Sequence, residues 1–146
     1  MSQRPPGTPP PDADGPTKQE GYILLVDDEV SIADVIVSLY RDDEGYEVLA
    51  TRTSKQAVEL APPVAPAFIL LDVNLHEETP AEAVATLRTH AALARAPLVL
   101  FTADPFARVM LTELGAVEWL HKPYDIADAL ALADRLGAVR YHPPRY

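Results

Sequence analysis

The sequence predicts an α/β fold in which helices cover both faces of a five-stranded parallel sheet, a doubly wound arrangement. Two observations predict it. Short apolar runs alternate with helical patterns five times along the chain, as repeated β–α units do. Two of these runs, Tyr22–Val26 and Ala67–Leu71, are apolar throughout, which is typical of strands that are buried on both faces.

The remaining apolar runs complete the sheet, and the segments between them have helical spacing. Strands are predicted at Tyr22–Val26, Tyr46–Ala50, Ala67–Leu71, Leu98–Phe101 and Val117–Leu120. The first helix lies between strands one and two, where apolar residues from Ile32 to Tyr40 share one helical face and Gly45 can end it. Four more helices are predicted at Ser54–Leu60, at Pro80–Ala91, at Pro105–Leu114, and around Ile126, Ala129, Leu130 and Ala133.

The chain has the length of one domain with a tail at each end. It has 146 residues, of which 48% are hydrophobic, enough to bury a core. Residues 1–19 contain six prolines and no large aliphatic residue beyond Met1, so we expect a disordered tail there. Residues 20–137 form the predicted domain, and residues 138–146 are interpreted as a C-terminal tail or the stub of a linker.

Composition and charge exclude several classes of function. No apolar run approaches the roughly 18 residues that a membrane span needs, so we expect a cytoplasmic protein without membrane contact. The absence of cysteine excludes disulfides and thiolate metal sites. A net charge of −10 argues against nucleic acid as a direct ligand and suits binding of a cation or of a basic partner surface.

Three carboxylates follow two of the predicted strands. Asp27 and Asp28 end the first strand, and Asp72 ends the third. Because the carboxyl ends of parallel strands lie at one edge of the sheet, these side chains should converge, and each should then raise the pKa of the others. A divalent cation removes that conflict, and oxygen-only ligands favour Mg²⁺.

A hydroxyl and an ammonium group are predicted at the same edge. Thr102 ends the fourth strand, and Lys122 follows the fifth. A cation and a lysine around a carboxylate suit a phosphoryl group, whose transfer depends on positioning and on charge neutralisation. Asp72 can then act as the nucleophile and form an acyl phosphate, with Asp27 and Asp28 serving the metal and Thr102 donating to a phosphoryl oxygen.

These residues resemble the receiver domains of two-component response regulators, of the CheY-like superfamily. The motifs that carry the resemblance are "LLVDDE", "ILLDVNL", "LFTA" and "GAVEWLHKPYD", and it spans Gly21 to about Leu136. The spacing is similar too, with 44 residues from Asp28 to Asp72 and 30 from Asp72 to Thr102. The resemblance implies the flavodoxin-like (βα)5 fold with strand order 2-1-3-4-5.

The resemblance also assigns roles to single residues. It implies that Asp72 is the phosphorylated residue, and that Asp28, Asp72 and the backbone carbonyl of Asn74 bind the metal while Asp27 acts through bound water. It implies a cis peptide bond before Pro123, and a switch in which Thr102 moves inward and Trp119 turns. Asn74 and Asp104 correspond to positions that tune the lifetime of the phosphorylated state.

The implied function is a phosphorylation switch of the stand-alone type. A histidine kinase or a histidine phosphotransfer protein would donate the phosphoryl group, and a downstream protein target would be contacted by a monomer or a weak dimer. No external substrate is expected; the implied chemistry is phosphorylation and dephosphorylation of the chain itself at Asp72.

The sequence departs from the family at two places. Four and eight residues after Asp72, where the family usually has proline and glycine, stand His76 and Pro80, and Glu77 and Glu78 between them are expected to bring negative charge near the phosphoryl group. Thr102 and Lys122 are 20 residues apart, about two fewer than in the simplest members, so the fourth helix is expected to be shortened or displaced.

Several alternatives stay open at this point. The chain could be a binding module that keeps the fold without being phosphorylated. A phosphatase of the haloacid-dehalogenase type is disfavoured, because Asn74 stands where a second aspartate is needed and no cap is present. Thr102 could cap the following helix, Trp119 could only pack, and the histidines, His76 included, show no ligand spacing and are expected to be surface residues.

Overall fold

The sheet is five-stranded and parallel, with the order β2-β1-β3-β4-β5. A computed structural model describes residues 20–143, so the predicted tail at 1–19 and the last residues, 144–146, lie outside the described residues. The strands are β1 (Ile23–Val26), β2 (Val48–Thr51), β3 (Phe68–Asp72), β4 (Leu98–Thr102) and β5 (Glu118–His121). The predicted fold class and strand order are confirmed.

Strand boundaries differ from the predicted ones at two strands in particular. β2 begins at Val48 rather than Tyr46, because the register pairs Ile23 with Val48 and leaves Tyr46 before the paired segment. Tyr46 instead forms an isolated antiparallel bridge with Arg140. β5 begins at Glu118, one residue later than predicted.

Six helices connect and cover the strands within the described residues. They are α1 (Val30–Val37), α2 (Ser54–Leu60), α3 (Pro80–Leu87), α4 (Ala91–Ala94), α5 (Ala107–Leu114) and α6 (Ile126–Arg135). α1 continues into a π-helical segment, Ser38–Asp43, and the chain then turns at Gly45, whose φ of 81° favours glycine. None of these helices is both long and apolar enough to cross a membrane.

The predicted helix Pro80–Ala91 was wrong in its length. α3 ends at Leu87, and a separate short helix, α4, begins at Ala91. Side chains explain the interruption: the Arg88 guanidinium donates to the carbonyl oxygens of Leu93 and Ala94, and the His90 imidazole accepts from the first amides of α4. The His90 ring thus pairs two amides at the start of α4, and Arg88 pairs carbonyls at its end, groups that the end of a helix leaves without internal partners.

α5 also begins later than predicted, at Ala107 instead of Pro105. The Asp104 carboxylate accepts from the Phe106 amide at 2.8 Å, which holds the preceding residues in a turn. The helix ends at Gly115, which has a φ of 71°, as its position in the sequence predicted.

The core forms one layer on each face of the sheet. Leu25, Val99 and Phe101 face α1 and α6, whereas Leu24, Leu71 and Leu100 face α2, α3 and α5, as the alternation of side chains along a strand requires. Each leucine buried completely stabilises the fold by about 2 kcal/mol. Because both faces are covered by apolar layers, polar side chains of the sheet are found mainly at the strand ends.

The segment after α6 contacts the amino ends of the strands. The Arg140 guanidinium donates to the Glu44 carboxylate at 2.8 Å and lies 4.5 Å from the centre of the Tyr46 ring. The Tyr141 hydroxyl donates to the carbonyl oxygen of Glu20 at 2.6 Å. Residues 138–143, which the sequence places in a tail or linker stub, therefore lie against the domain.

Candidate functional site

The three predicted carboxylates meet at the carboxyl edge of the sheet. Register places them there: Val26 of β1 pairs with Leu71 of β3, so Asp27 lies beside Asp72. One oxygen of Asp27, one of Asp28 and one of Asp72 lie within 4.8 Å of one another. Asp27 and Asp72 are 1% and 3% exposed, so two of the three charges are buried.

Burial and crowding leave the cluster short of hydrogen-bond donors. Burial, together with the neighbouring Asp72, raises the pKa of Asp27 to about 6, against the lowering effects of the Glu29 amide and of Lys122. Asp27 Oδ2 and Asp28 Oδ1 are buried and accept no hydrogen bond from residues 20–143. Buried acceptors without a hydrogen bond lower the stability of the fold. A hard cation, which prefers oxygen ligands, would pair them.

The third carboxylate, Asp28, is held by a residue outside the predicted set. The backbone amide and the ring Nδ1 of His76 both lie 2.9 Å from Asp28 Oδ2. Burial opposes ionisation of Asp28, but these two hydrogen bonds hold its pKa below the ordinary value. The bond to Asp28 in turn raises the pKa of His76. His76 is exposed, as the sequence predicted, but its spacing gave no indication of this contact.

Lys122 reaches the cluster from β5. Its Nζ donates to Asp72 Oδ1 at 3.2 Å and lies 4.3 Å from the centre of the Phe101 ring. The backbone amide of Lys122 donates to the carbonyl oxygen of Thr102, and the Lys122–Pro123 peptide bond is cis. Asp72 is thus bonded by a cationic side chain and has two carboxylates nearby.

A sequence profile described as the response regulator receiver domain matches residues 23–134, which is most of the chain. The chain belongs to the response regulator receiver family. Its fold is similar to that of the chemotaxis protein CheY4 of Vibrio cholerae, with a TM-score of 0.71 and 27% identity over 81% of this chain and 99% of CheY4.

Two further relatives extend the comparison. The receiver domain of the sensor histidine kinase PA1611 of Pseudomonas aeruginosa, whose structure has a magnesium ion in the active-site cleft, matches with a TM-score of 0.70 and 26% identity over 83% of this chain and 100% of that one. The regulatory protein VirG of Agrobacterium tumefaciens is 29% identical over 113 residues, covering 75% of this chain. The match covers only 41% of VirG, less than half of its length.

Thr102 of this receiver domain is fully buried at the end of β4. Its Oγ1 accepts from the Asp104 amide at 2.9 Å, and α5 begins only after Phe106, so Thr102 is not the cap of that helix. Phe101, the residue before it, pairs with Asp72 across the sheet. Thr102 is therefore one residue beyond the partner of Asp72 on the neighbouring strand.

Trp119 shares a face of the receiver sheet with Thr102. Leu100 pairs with Trp119, and residues two apart along a strand point to the same face, so Leu100, Thr102 and Trp119 lie on one side. Trp119 is half-buried and packs in the layer that includes Met110 and Leu111 of α5. Thr102 and Trp119 therefore face the same helix-covered side of the sheet.

The loop after Asp72 is held at three points. The Asn74 amide donates to Asp72 Oδ1 at 3.0 Å, His76 holds Asp28, and the Glu78 carboxylate accepts from the amide and the hydroxyl of Ser54. The Glu78 carboxylate is bound at the start of α2, and the expected effect of Glu77 and Glu78 on a phosphoryl group stays a prediction. Asn74 is exposed. The role of its backbone carbonyl oxygen as a metal ligand stays a prediction.

Proposed function

We propose that this receiver domain is a phosphorylation switch, in which Asp72 accepts a phosphoryl group from a histidine kinase or a histidine phosphotransfer protein. The observation that carries the proposal is the environment of Asp72. A buried carboxylate that bonds a lysine, with oxygens of two further carboxylates within 4.8 Å, offers the positioning and charge neutralisation that phosphoryl transfer needs.

The transfer uses the carboxylate of Asp72 as the nucleophile. An oxygen of Asp72 attacks phosphorus, a P–O bond forms, and the P–N bond to the donor imidazole breaks with its electron pair going to the ring nitrogen, which takes up a proton. Oδ1 already accepts from Lys122 and from the Asn74 amide, so Oδ2 is the oxygen left for the attack. Water later attacks the acyl phosphate, which releases phosphate and restores the carboxylate.

The oxygen ligands for a cation come from this chain. Asp27, Asp28, Asp72 and the carbonyl of Asn74 would hold Mg²⁺, and the two buried oxygens that accept no hydrogen bond support that assignment. When bound, Mg²⁺ neutralises charge on the phosphoryl oxygens. Lys122, which bonds Asp72 Oδ1, adds a second positive charge at the site.

The readout uses the face that Thr102 and Trp119 share. The Thr102 hydroxyl, which accepts from the Asp104 amide in the structure, turns to donate to a phosphoryl oxygen. The layer of α5 then repacks around Trp119, which shifts an existing equilibrium between two states. Asn74 and Asp104 flank the path of the attacking water and set how long the phosphorylated state persists.

The partners follow from this chemistry. The phosphodonor is a histidine kinase or a phosphotransfer protein in the cytoplasm, and the output is contact with a downstream protein by a monomer or a weak dimer. The net charge of −10 supports a protein partner over nucleic acid as the direct ligand. This receiver would act either as an intermediate in a phosphorelay or as an effector.

The test is phosphorylation of the full chain by acetyl phosphate, followed by intact mass, with and without Mg²⁺. We expect one phosphoryl adduct that requires Mg²⁺ and is absent in Asp72→Asn, which keeps the shape of the side chain. Fluorescence of Trp119, the single tryptophan, should change with the phosphate mimic beryllofluoride in the wild type only. A wild type without an adduct would favour a binding module that works without phosphorylation.

A further inference from the structure

The contact between His76 and Asp28 is specific to this chain's unusual loop. Both donors of His76, the backbone amide and the ring Nδ1, bond the same carboxylate oxygen, Oδ2, each at 2.9 Å. An ionised carboxylate only accepts hydrogen bonds, so the ring hydrogen must be on Nδ1. Two donors that share one oxygen fix both the position and the rotation of the carboxyl group.

The other oxygen of Asp28 is the one that remains for a ligand. Asp28 Oδ1 is buried and accepts no hydrogen bond within the described part of the chain, although the carboxyl group as a whole is half-buried. With Oδ2 occupied, rotation of Asp28 away from Asp27 and Asp72 would break both bonds to His76. His76 thereby keeps the vacant oxygen within the carboxylate cluster.

We propose that His76 is a positioning residue that presents Asp28 Oδ1 to the divalent cation and thereby raises the affinity of the receiver for Mg²⁺. The proposal rests on the proposed function, since it deepens the role of the same cluster. It also gives a reason for His76 at the position where the family usually has proline. Proline has no amide hydrogen and no ring N–H, so it could donate neither of the two hydrogen bonds to Asp28.

Further hydrogen bonds, which do not involve Asp28, hold the loop that carries His76. The Glu78 carboxylate accepts from the Ser54 amide at 2.9 Å and from its hydroxyl, and Thr79 forms a capping box with Glu82 at the start of α3. Neither contact involves Asp28. The chain thus offers a matched control, a substitution that loosens the same loop without removing a donor from the carboxylate.

The expected effect follows from the role of groups that orient metal ligands. Loss of such a group typically weakens metal binding by 10- to 100-fold, and His76 belongs at the low end because its side chain is 80% exposed. We therefore expect His76→Ala, which keeps the amide but removes the ring, to weaken Mg²⁺ binding by about tenfold. His76→Asn should restore much of the affinity, because the Asn side-chain amide can donate from a position similar to that of the imidazole Nδ1.

The experiment is calorimetric titration of the full chain with MgCl₂ at fixed pH, with the melting temperature measured in the absence of divalent ions. We expect His76→Ala to lose affinity with little change in melting temperature. Glu78→Gln should lower the melting temperature, because it weakens hydrogen bonds to a charged group. Its Mg²⁺ affinity should stay within about twofold of the wild type, because Asp28 keeps both bonds to His76.

The outcomes separate this inference from the function it builds on. Equal or tighter Mg²⁺ binding by His76→Ala would overturn the role of His76 and leave the phosphorylation switch standing. Equal losses of affinity in His76→Ala and Glu78→Gln would also overturn it, because loosening of the loop would then be the cause. A wild type that binds no Mg²⁺ would overturn the metal site of the proposed function and this inference with it.

Discussion

The two edges of the sheet differ in whether their buried carboxylates have hydrogen-bond partners. At the amino edge, Arg140 donates to the carboxylate and to the backbone carbonyl of Glu44 and stacks on Tyr46. At the carboxyl edge, oxygens of Asp27 and Asp28 are buried without a donor among residues 20–143. One edge has a cation for its buried acid, and the other has three acids and a single lysine.

The difference indicates which edge is built for stability and which for a ligand. Buried polar groups are almost always hydrogen-bonded, so the few that are not call for a reason. Unpaired acceptors close to Asp72 destabilise the ligand-free chain, and under the proposed function a bound cation would pair them. Substitutions at the amino edge should therefore lower stability alone, whereas those at the carboxyl edge should change activity, sometimes with a gain in stability.

The largest expected effect concerns the lysine of the carboxyl edge. In Lys122→Ala, no ammonium group opposes the charge of the incoming phosphoryl group, and we expect phosphorylation of Asp72 by acetyl phosphate to slow by roughly 100-fold. The rate is measured by intact mass over time at saturating Mg²⁺. Lys55→Ala, which removes an exposed lysine of α2, is the control and should keep the wild-type rate. A small change in Lys122→Ala would argue against charge neutralisation by this residue.

The second prediction concerns the loss of stability caused by carboxylates that are buried close together at the same edge. Asp27→Asn removes one buried charge, and we expect the free energy of unfolding in a metal chelator to rise by roughly 2 kcal/mol at pH 8. The same variant should bind Mg²⁺ more weakly. Chemical denaturation with urea measures the first quantity and calorimetry the second. A less stable variant would contradict the view that this carboxylate is there for a ligand.

The pH dependence of that gain has a definite sign. The pKa of Asp27 is raised to about 6 in the folded chain, so the folded state binds a proton more tightly than the unfolded state does. The ionisation of this group therefore lowers the stability of the wild type as the pH rises from about 4 to about 6. The difference in stability between Asp27→Asn and the wild type should be near zero at the lower pH and reach its full value above the higher one.

The smallest effect belongs to the amino edge. Arg140→Ala leaves the buried Glu44 carboxylate without its guanidinium, and we expect a loss of about 1 kcal/mol, since Arg140 is partly exposed. Arg135→Ala breaks an exposed ion pair with Glu118 and should cost less. Urea denaturation compares the two variants. Phosphorylation of Asp72 should proceed at the wild-type rate in both, and a slower rate in Arg140→Ala would show that the two edges are coupled.

The carboxyl edge was predictable because its residues are fixed by local patterns. Each apolar run sets where its strand ends, and the parallel arrangement brings those ends together, so Asp27, Asp28 and Asp72 could be placed in one cluster from the sequence. Lys122 follows by the same reasoning, and its contact with Asp72 agrees with it. In such a prediction, the order and direction of the strands determine which residues come together.

The contacts that escaped prediction depend on side chains that meet across loops. His76 bonds Asp28 from 48 residues away, and nothing in the spacing of either residue indicates the bond. The break between α3 and α4 is due to Arg88 and His90, which lie in a segment without glycine or proline. Arg140 lies in a stretch without periodicity, so its bridge to Tyr46 has no sequence signal.

The docking of residues 138–143 has a practical consequence for experiments on this domain. The backbone near Arg140 is fixed at the amino ends of the strands, and each strand rises about 3.3 Å per residue, so a five-residue strand such as β4 separates this point from the Asp72 carboxylate by about 15 Å along the strand direction. A fluorophore or an affinity handle added after residue 143 would start from the far side of the sheet. Such a label should leave the approach of a phosphodonor to Asp72 unobstructed, and it gives a fixed reference point against which the movement of α5 that the proposed switch requires could be measured.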